Sequence, residues 1–244
     1  MTMKKKKYFL ILFIPLFFMF LSGCSNLGIH TTKDNYDATG LVAVIKGKTT
    51  KADKLTYTLN GKTKKVKLHN KHFAFSVPVS AQNQTVRLTV SNGKEKQSQS
   101  VTVNKIAEIA DYTAFAQEYN YYSLLDGVQS DQLPLIAKDG ILKYKRNNGT
   151  QMYLNVQGSN LMGVAMKGSL SDRNRKANLT KFKASLSLIA QLSGANQKAV
   201  IKHFNKQLKH LNESSKTTIK PYQSHNIEFN MDLADDAFYV YVTK

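Results

Sequence analysis

The sequence predicts a two-part fold, all-β plus α+β, in which a β-sandwich precedes a domain with a mainly antiparallel sheet and helices packed on one face. Three observations carry this prediction. Residues 41–104 alternate apolar and polar side chains, which is typical of strands with one buried face. Two later segments, 178–192 and 196–211, repeat apolar residues at helical spacing instead. Short alternating segments flank these helices on both sides, which indicates an α+β arrangement.

Composition limits the interpretation. The chain has 244 residues, of which 42% are apolar, and its 35 Lys and Arg against 16 Asp and Glu give a formal net charge of +19. This apolar share excludes a mostly disordered chain, because enough surface can be buried to offset the entropy of ordering. Since there is one cysteine, an intrachain disulfide framework and a cysteine-rich zinc site are both excluded.

The N-terminus carries the features of an export signal. A run of four lysines precedes an apolar run over residues 8–21, which is short for a membrane-spanning helix. The apolar run ends in Leu21-Ser22-Gly23-Cys24, and this order of charge, apolar length, small residues and cysteine resembles the lipobox of bacterial lipoproteins. The resemblance implies cleavage between Gly23 and Cys24 and a diacylglycerol anchor on Cys24. An ordinary signal peptide with a coincidental cysteine is the alternative.

The lipoprotein interpretation divides the chain into four parts. These are a signal peptide over residues 1–23, a polar tether over 24–39, the β-sandwich over 40–104 and the α+β domain over 105–244. Acyl chains hold a protein firmly on a bilayer, since each buried CH₂ contributes about 0.8 kcal/mol. We therefore expect a lipid-anchored protein on the extracellular face of the cell membrane, in a Gram-positive-type envelope.

Six or seven short strands are predicted within the sandwich. Their alternating apolar residues are Leu55, Tyr57 and Leu59, then Phe73, Phe75 and Val77, then Val86, Leu88 and Val90, then Val101 and Val103. Asn60-Gly61 and Asn92-Gly93 lie between such runs, and this dipeptide favours the type I′ hairpin turn. The segment is similar in architecture to the Ig-like modules of bacterial surface proteins, and that resemblance carries no functional residues.

The second domain is predicted to open with a helix over 104–120, where Ile106, Ile109 and Thr113 are spaced for one face. The helix over 196–211 begins with an Asn cap. The predicted strands of this domain cover residues 132–138, 141–146, 152–156, 162–166, 217–222, 227–231 and 238–242.

No reactive constellation emerges from the sequence. It contains no nucleophile elbow, zinc-protease motif, phosphate-binding loop, dinucleotide fingerprint or EF-hand loop. We therefore predict no catalytic residue, no cofactor and no metal, since His69 and His72 flank a predicted turn without a third ligand nearby. Asp232, Asp235 and Asp236 cluster where Asp favours turn geometry. A surface hydrolase with its site in the C-terminal domain remains the alternative function. A solute-binding protein is disfavoured because such proteins usually contain parallel sheets.

Basic residues gather in two acid-free stretches, with eight in 54–94 and nine in 173–212. On the helix predicted over 196–211, four lysines share one side, which we call the lysine face: Lys198, Lys202, Lys206 and Lys209. Like charges at i,i+4 weaken a helix by about 0.2–0.5 kcal/mol each, so an uncompensated stripe favours a polyanionic partner.

Three polyanions fit the lysine face: anionic lipid headgroups, anionic wall polymers such as teichoic acids, and nucleic acid. Lys outnumbers Arg by 31 to four and no reader motif occurs, so no specific nucleic acid is expected. General envelope electrostatics without any specific ligand is the alternative. We expect a membrane-anchored, non-catalytic binding module that engages an anionic wall polymer or an envelope protein.

Overall fold

The computed structural model describes residues 27–125, 132–146, 150–169, 175–213, 220–233 and 237–244. Within these ranges lie three helices and fifteen strands, and the strands form three sheets. The coarse prediction of a mostly β chain with antiparallel sheets and an α+β part is confirmed. Of the three helices in these ranges, none is long and apolar enough to cross a bilayer.

Two of the sheets pack face to face in the first half of the chain. The smaller sheet has the strand order β1 (Gly28–Thr31), β3 (Val42–Thr50), β6 (His72–Pro78). The larger sheet has the order β2 (Asn35–Tyr36), β8 (Glu95–Val103), β7 (Gln84–Asn92), β4 (Lys54–Leu59), β5 (Lys62–Val66). Neighbouring strands are antiparallel except β2 and β8, which run parallel. Alternate apolar side chains of both sheets share one core, among them Ile45, Val77 and Leu88.

The first two strands lie where the sequence predicts a polar tether over residues 24–39, and for strand residues 28–31 and 35–36 that prediction is wrong. β1 pairs with β3 along its whole length. Leu27 and Ile29 are 5% and 7% exposed and belong to the sandwich core, as does Tyr36. These few apolar side chains anchor an otherwise polar segment in the core. The neighbouring strands also satisfy the backbone hydrogen bonds of this segment.

The two Asn-Gly sequences form different turns. Between β4 and β5, Asn60 (φ 49°) and Gly61 (φ 72°) both have positive φ, as a type I′ turn requires. Between β7 and β8 the loop is Gly93-Lys94, and in it only Gly93 has positive φ. The Asn92 amide donates to a backbone carbonyl of the β3–β4 loop (2.7 Å), which keeps Asn92 within its strand.

The third sheet and all three helices form the second half of the chain. The sheet has the order β10 (Gly140–Lys145), β11 (Gln151–Gln157), β12 (Asn160–Ser169), β15 (Ala237–Thr243), β14 (Ile227–Leu233), β13 (Tyr222–Ser224). A short strand, β9 (Ala110–Asp111), pairs with the first two residues of β12, and every pairing is antiparallel. The helices are α1 (Tyr112–Leu125), α2 (Arg175–Leu192) and α3 (Gln197–Glu213). All three share one core with a single face of the sheet, so they cover one side of it.

Aromatic packing joins α2 and α3 to the sheet. Phe182 of α2 stacks on Phe204 of α3, with ring centroids 5.5 Å apart, and meets the edge of Phe238 of β15 at 4.6 Å. Each of these rings is 1–2% exposed. The cluster determines which face of α3 is buried and therefore which face is turned to solvent.

Helix α1 begins later than the prediction of 104–120. Residues before it are extended, because the Asn104 N–H donates to a β2 carbonyl and the Ile106 N–H donates to the Ser80 carbonyl. The helix starts after Asp111, whose carboxylate accepts the Ala114 N–H (2.9 Å) as an N-terminal cap. The apolar pattern that predicts a single helix over 104–120 therefore covers an extended connector and the first part of α1.

The strand predicted over 132–138 is also wrong. This segment lies along α1, and side chains of the helix satisfy its backbone groups. The Asn120 side chain bonds both the N–H and the carbonyl of Leu133 (2.6 and 2.9 Å), and the Tyr112 hydroxyl donates to the Pro134 carbonyl (2.7 Å). With its backbone bonded to helix side chains, the segment needs no strand partner. Of the strand predicted over 217–222, residues up to 219 lie outside the described residues, and β13 begins at Tyr222.

One buried amide links the two halves of the molecule. Asn155 of β11 has no exposed surface, and its side-chain NH₂ donates to the backbone carbonyls of Leu41 (3.1 Å) and Val79 (2.8 Å) in the sandwich. Close packing adds to this link, since a Cβ on Gly40 would lie 2.6 Å from the ring of Tyr241. The sandwich and the α+β half are therefore in direct contact through hydrogen bonds and packed side chains.

Candidate functional site

Helix α3 begins with a side-chain cap and buries one face. The Asn196 side-chain oxygen accepts the Ala199 N–H (3.1 Å), which confirms the predicted Asn cap. Val200 and Phe204 are each 2% exposed and lie in the core. Because the lysine face is on the opposite side of the helix, all four of its side chains are exposed, as the sequence predicts.

The lysine face lines a shallow groove of about 840 Å³ along α3. The other lining residues are Ser187 of α2 and Gln197, Ile201 and Asn205 of α3. The Ser187 hydroxyl donates to the Gln197 side-chain oxygen (2.9 Å), which ties the start of α3 to α2. Half-buried Ile201 contributes apolar surface between the lysines and the sheet-facing side of the helix. The groove therefore combines a row of cations with a small apolar patch.

The four ammonium groups form a linear array. Spacings of four, four and three residues place their Cα atoms along about 16 Å of helix axis, at ~1.5 Å per residue. Helix α2 has no acidic residue, and the only one in α3 is Glu213 at its last position. The positive charge of the lysine face is therefore not neutralised within these two helices. Two i,i+4 lysine pairs along the array each weaken the helix by about 0.2–0.5 kcal/mol.

This arrangement can bind anionic oxygens without transforming them chemically. A lysine ammonium is a compact charge on a flexible stem, so it suits a polymer whose charges repeat along a chain. Recognition of one planar phosphate or carboxylate would instead favour the fixed fork of Arg. The lysine stems and Ile201 also offer apolar surface to the carbon backbone of such a polymer.

His203 lies on the flank of α3 away from the groove. Its ring stacks on Tyr222 of β13 (centroids 4.6 Å, planes 21° apart), and its Nε2 is 3.2 Å from the Gln207 amide nitrogen. Burial lowers the pKa of His203, and the nearby Lys206 adds to the decrease, whereas a hydrogen bond with the Lys220 backbone opposes it. Tyr222 covers one side of the ring, so His203 is half-buried at the contact between α3 and β13.

The remaining candidate residues do not form a reactive site in the described structure. Gly23 and Cys24, the predicted cleavage and lipidation residues, lie outside the described residues, as do Asp235 and Asp236. Asp232 is exposed on β14, and both His69 and His72 are exposed beside a turn. Across the described ranges, no group of three or more His, Cys, Asp or Glu side chains could hold a metal ion.

Sequence reasoning identified the cations of the groove and missed the rest of its lining. Ile201 and Asn205 follow Lys198 by three and seven residues, so a helical projection places them on the same side as the lysines. That signal was available in the sequence. Ser187 belongs to another helix, and only the packing of α2 against α3 brings it to the groove.

Comparisons with known proteins add little to this description. No family model and no curated relative matches the chain. The apo structure of Bacteroides uniformis β-glucuronidase 3 is similar over 62% of this chain and 16% of that chain, with 12% identity and a TM-score of 0.26. The match thus spans about a sixth of the length of that enzyme, and a TM-score this low supports no statement about fold or activity.

Proposed function

We propose that this chain is a cell-envelope lipoprotein, anchored through Cys24, that binds anionic wall polymers with the lysine face of α3 and performs no catalysis. The observation that carries the binding proposal is the groove along α3, which all four lysines line. The anchor rests on the lipobox-like residues 21–24. An Ig-like designation for the sandwich is part of the proposal, and the face-to-face packing of its two sheets supports it.

A wall polymer explains the array better than a lipid surface does. Headgroups lie in a plane and are reached by any exposed lysine on the membrane side of a protein. The lysine face is instead a single row about 16 Å long with an apolar edge, which matches a linear chain of repeated charges. Nucleic acid is not favoured, because no arginine lines the groove.

The test is co-sedimentation of the intact chain, kept in a nonionic detergent, with purified Gram-positive cell walls. The test variant replaces the lysine face with Gln at all four positions. The matched control replaces four exposed lysines of the sandwich with Gln: Lys62, Lys64, Lys65 and Lys67. Both variants lose the same net charge, so a difference between them reports position rather than total charge.

We expect the lysine-face variant to bind much more weakly than the control. A lysine near an anionic surface contributes about 1 kcal/mol, so four of them contribute about 4 kcal/mol, roughly a thousandfold in affinity at low salt. Binding of the unmodified chain should fall with added salt and with walls stripped of phosphodiester polymers by hydrofluoric acid. Equal losses in the two variants would reject a specific site and favour general electrostatics.

The anchor has its own test. Cys24→Ala should release the chain from the membrane fraction, because acylation requires the cysteine thiol, whereas Ser25→Ala should leave it there. Retention of the Cys24→Ala variant in membranes would reject the lipid anchor and leave the binding proposal untouched.

A further inference from the structure

The face of the third sheet that the helices leave uncovered carries a band of tyrosines between basic and acidic side chains. Strand pairing aligns one row as Lys143, Tyr153, Ala165, Tyr241 and Asn230. The next row aligns Lys145, Gln151, Lys167, Tyr239 and Asp232. The rings of Tyr239 and Tyr241 are nearly parallel, with planes 15° apart and centroids separated by 6.3 Å. All three tyrosines are partly exposed.

A cavity of about 300 Å³ lies at the acidic end of this band. Tyr241, Asn230 and Asp232 line it from the sheet, and Thr39 and Gly40 line it from the sandwich. This volume is at the lower end of the range for small-ligand pockets. The link through Asn155 holds sandwich and sheet together, so the cavity exists without a ligand-induced closure.

The lining is polar and rich in hydrogen-bond acceptors. Two carboxylates, Glu228 and Asp232, flank the Asn230 amide on one side of β14, and Lys244 adds a donor. The Tyr241 hydroxyl remains a donor at neutral pH, because burial raises its pKa and the nearby Asp232 carboxylate and Tyr239 raise it further. Such a site offers acceptors and donors to many hydroxyl groups at once, together with a ring face for C–H groups.

We propose that this junction cavity and the tyrosines beside it bind an uncharged glycan chain. One sugar occupies the cavity against Tyr241, Asn230 and Asp232, and the chain continues past Tyr239, where the Lys167 ammonium lies 5.6 Å from the ring centroid and offers a further donor. Glu228 and Asp232 repel the phosphate groups that suit the lysine face, so the two surfaces take different ligands. A small organic cation fits less well, because the basic residue Lys244 lines the same cavity. The site is independent of the lysine groove and extends the proposed function to a second component of the envelope.

The test measures binding of three neutral hexasaccharides, β-1,4-glucan, β-1,3-glucan and β-1,4-N-acetylglucosamine, to the intact chain by calorimetry. A polyoxyethylene detergent keeps sugar headgroups out of the sample, and 0.5 M NaCl screens the lysine face. The test variants are Tyr239→Ala and Asp232→Asn. The matched controls are Tyr121→Ala on α1, where the ring is 58% exposed, and Asp53→Asn at an exposed position of the sandwich.

We expect at least one hexasaccharide to bind, with affinity about tenfold lower in Tyr239→Ala and unchanged in both control variants. Asp232→Asn should also weaken binding, because a neutral amide is a poorer acceptor for sugar hydroxyls. The variant with the lysine face replaced by Gln should bind the glycan normally, so failure here is distinguishable from failure of the polyanion proposal. Absence of binding to all three glycans, or binding of choline or spermidine that depends on Asp232, would overturn the inference.

Discussion

Replacing Asn155 should weaken the link between the two halves of the molecule and lower the free energy of unfolding. Asn155→Leu keeps the branching and the number of side-chain heavy atoms and removes both donors, so the Leu41 and Val79 carbonyl oxygens lose their bonds of 3.1 and 2.8 Å. Each lost hydrogen bond costs about 1 kcal/mol, and a buried carbonyl left without a donor costs about 1–3 kcal/mol more. The Leu41 oxygen still accepts the Val79 N–H (3.3 Å), so one carbonyl carries that further cost. The expected destabilisation is therefore about 3–5 kcal/mol.

Urea unfolding provides the measurement. Helical circular dichroism reports on the second half of the chain, where all three described helices lie, and hydrogen exchange reports on the sandwich strands. With a urea dependence of about 3 kcal/mol per M for a chain of this size, the midpoint should fall by about 1–1.7 M. Asn35→Leu, at an exposed position of β2, is the matched control and should change stability by less than about 0.5 kcal/mol. A loss below about 1 kcal/mol for Asn155→Leu would refute the reasoning.

Three further outcomes follow from particular contacts. Lys202→Glu turns two repulsive i,i+4 pairs into attractive ones, so it should raise stability by about 1 kcal/mol while weakening binding to cell walls; lower stability would contradict the repulsion. Burial lowers the pKa of His203, so folding favours the neutral ring. The free energy of unfolding should therefore decline as pH falls below the ordinary histidine pKa of about 6.5. His203→Gln should lessen that decline between pH 8 and pH 5. An identical pH dependence would contradict this. Gly168→Ala would place a Cβ 2.2 Å from the ring of buried Phe238 and should cost about 1–3 kcal/mol in urea unfolding; an unchanged midpoint would show that the ring moves freely.

Periodic segments were predictable because their burial depends on local spacing. The strands around Leu88 and Val240 and the helices containing Phe182 and Phe204 have buried residues at the spacings that the sequence shows. Segments whose backbone is satisfied by distant groups were not predictable. Residues 132–138 contain strand-forming side chains, yet Asn120 and other α1 side chains supply their hydrogen bonds. No spacing rule within the segment contains that information.

The same contrast between local spacing and long-range contacts applies to the lysine face and the junction cavity. The lysine face lies on one helix, so a helical projection is enough to find it. The junction cavity combines residues separated by about two hundred positions, since Gly40 meets Tyr241 there. The sequence drew attention to Asp232 only as part of an acidic cluster near a turn. Its proximity to Tyr241 and to the sandwich follows from the pairing of β14 with β15 and from the contact between the two halves.

The two acid-free stretches have similar charge and different structural meaning. In the sandwich, Lys62 and Lys64 pair with Leu59 and Tyr57 on one face of the sheet, whereas Lys65 pairs on the other face. Their strand, β5, is at the edge of its sheet, where lysines prevent pairing with another chain. That role explains these lysines without any ligand. The lysine face has no such explanation, because it destabilises its own helix and lies on one side of it. A polyanion would relieve this repulsion, so the lysine face is stronger evidence for a binding site than the lysines of β5 are. Wall binding of the two sets of lysine substitutions measures the difference between these surfaces.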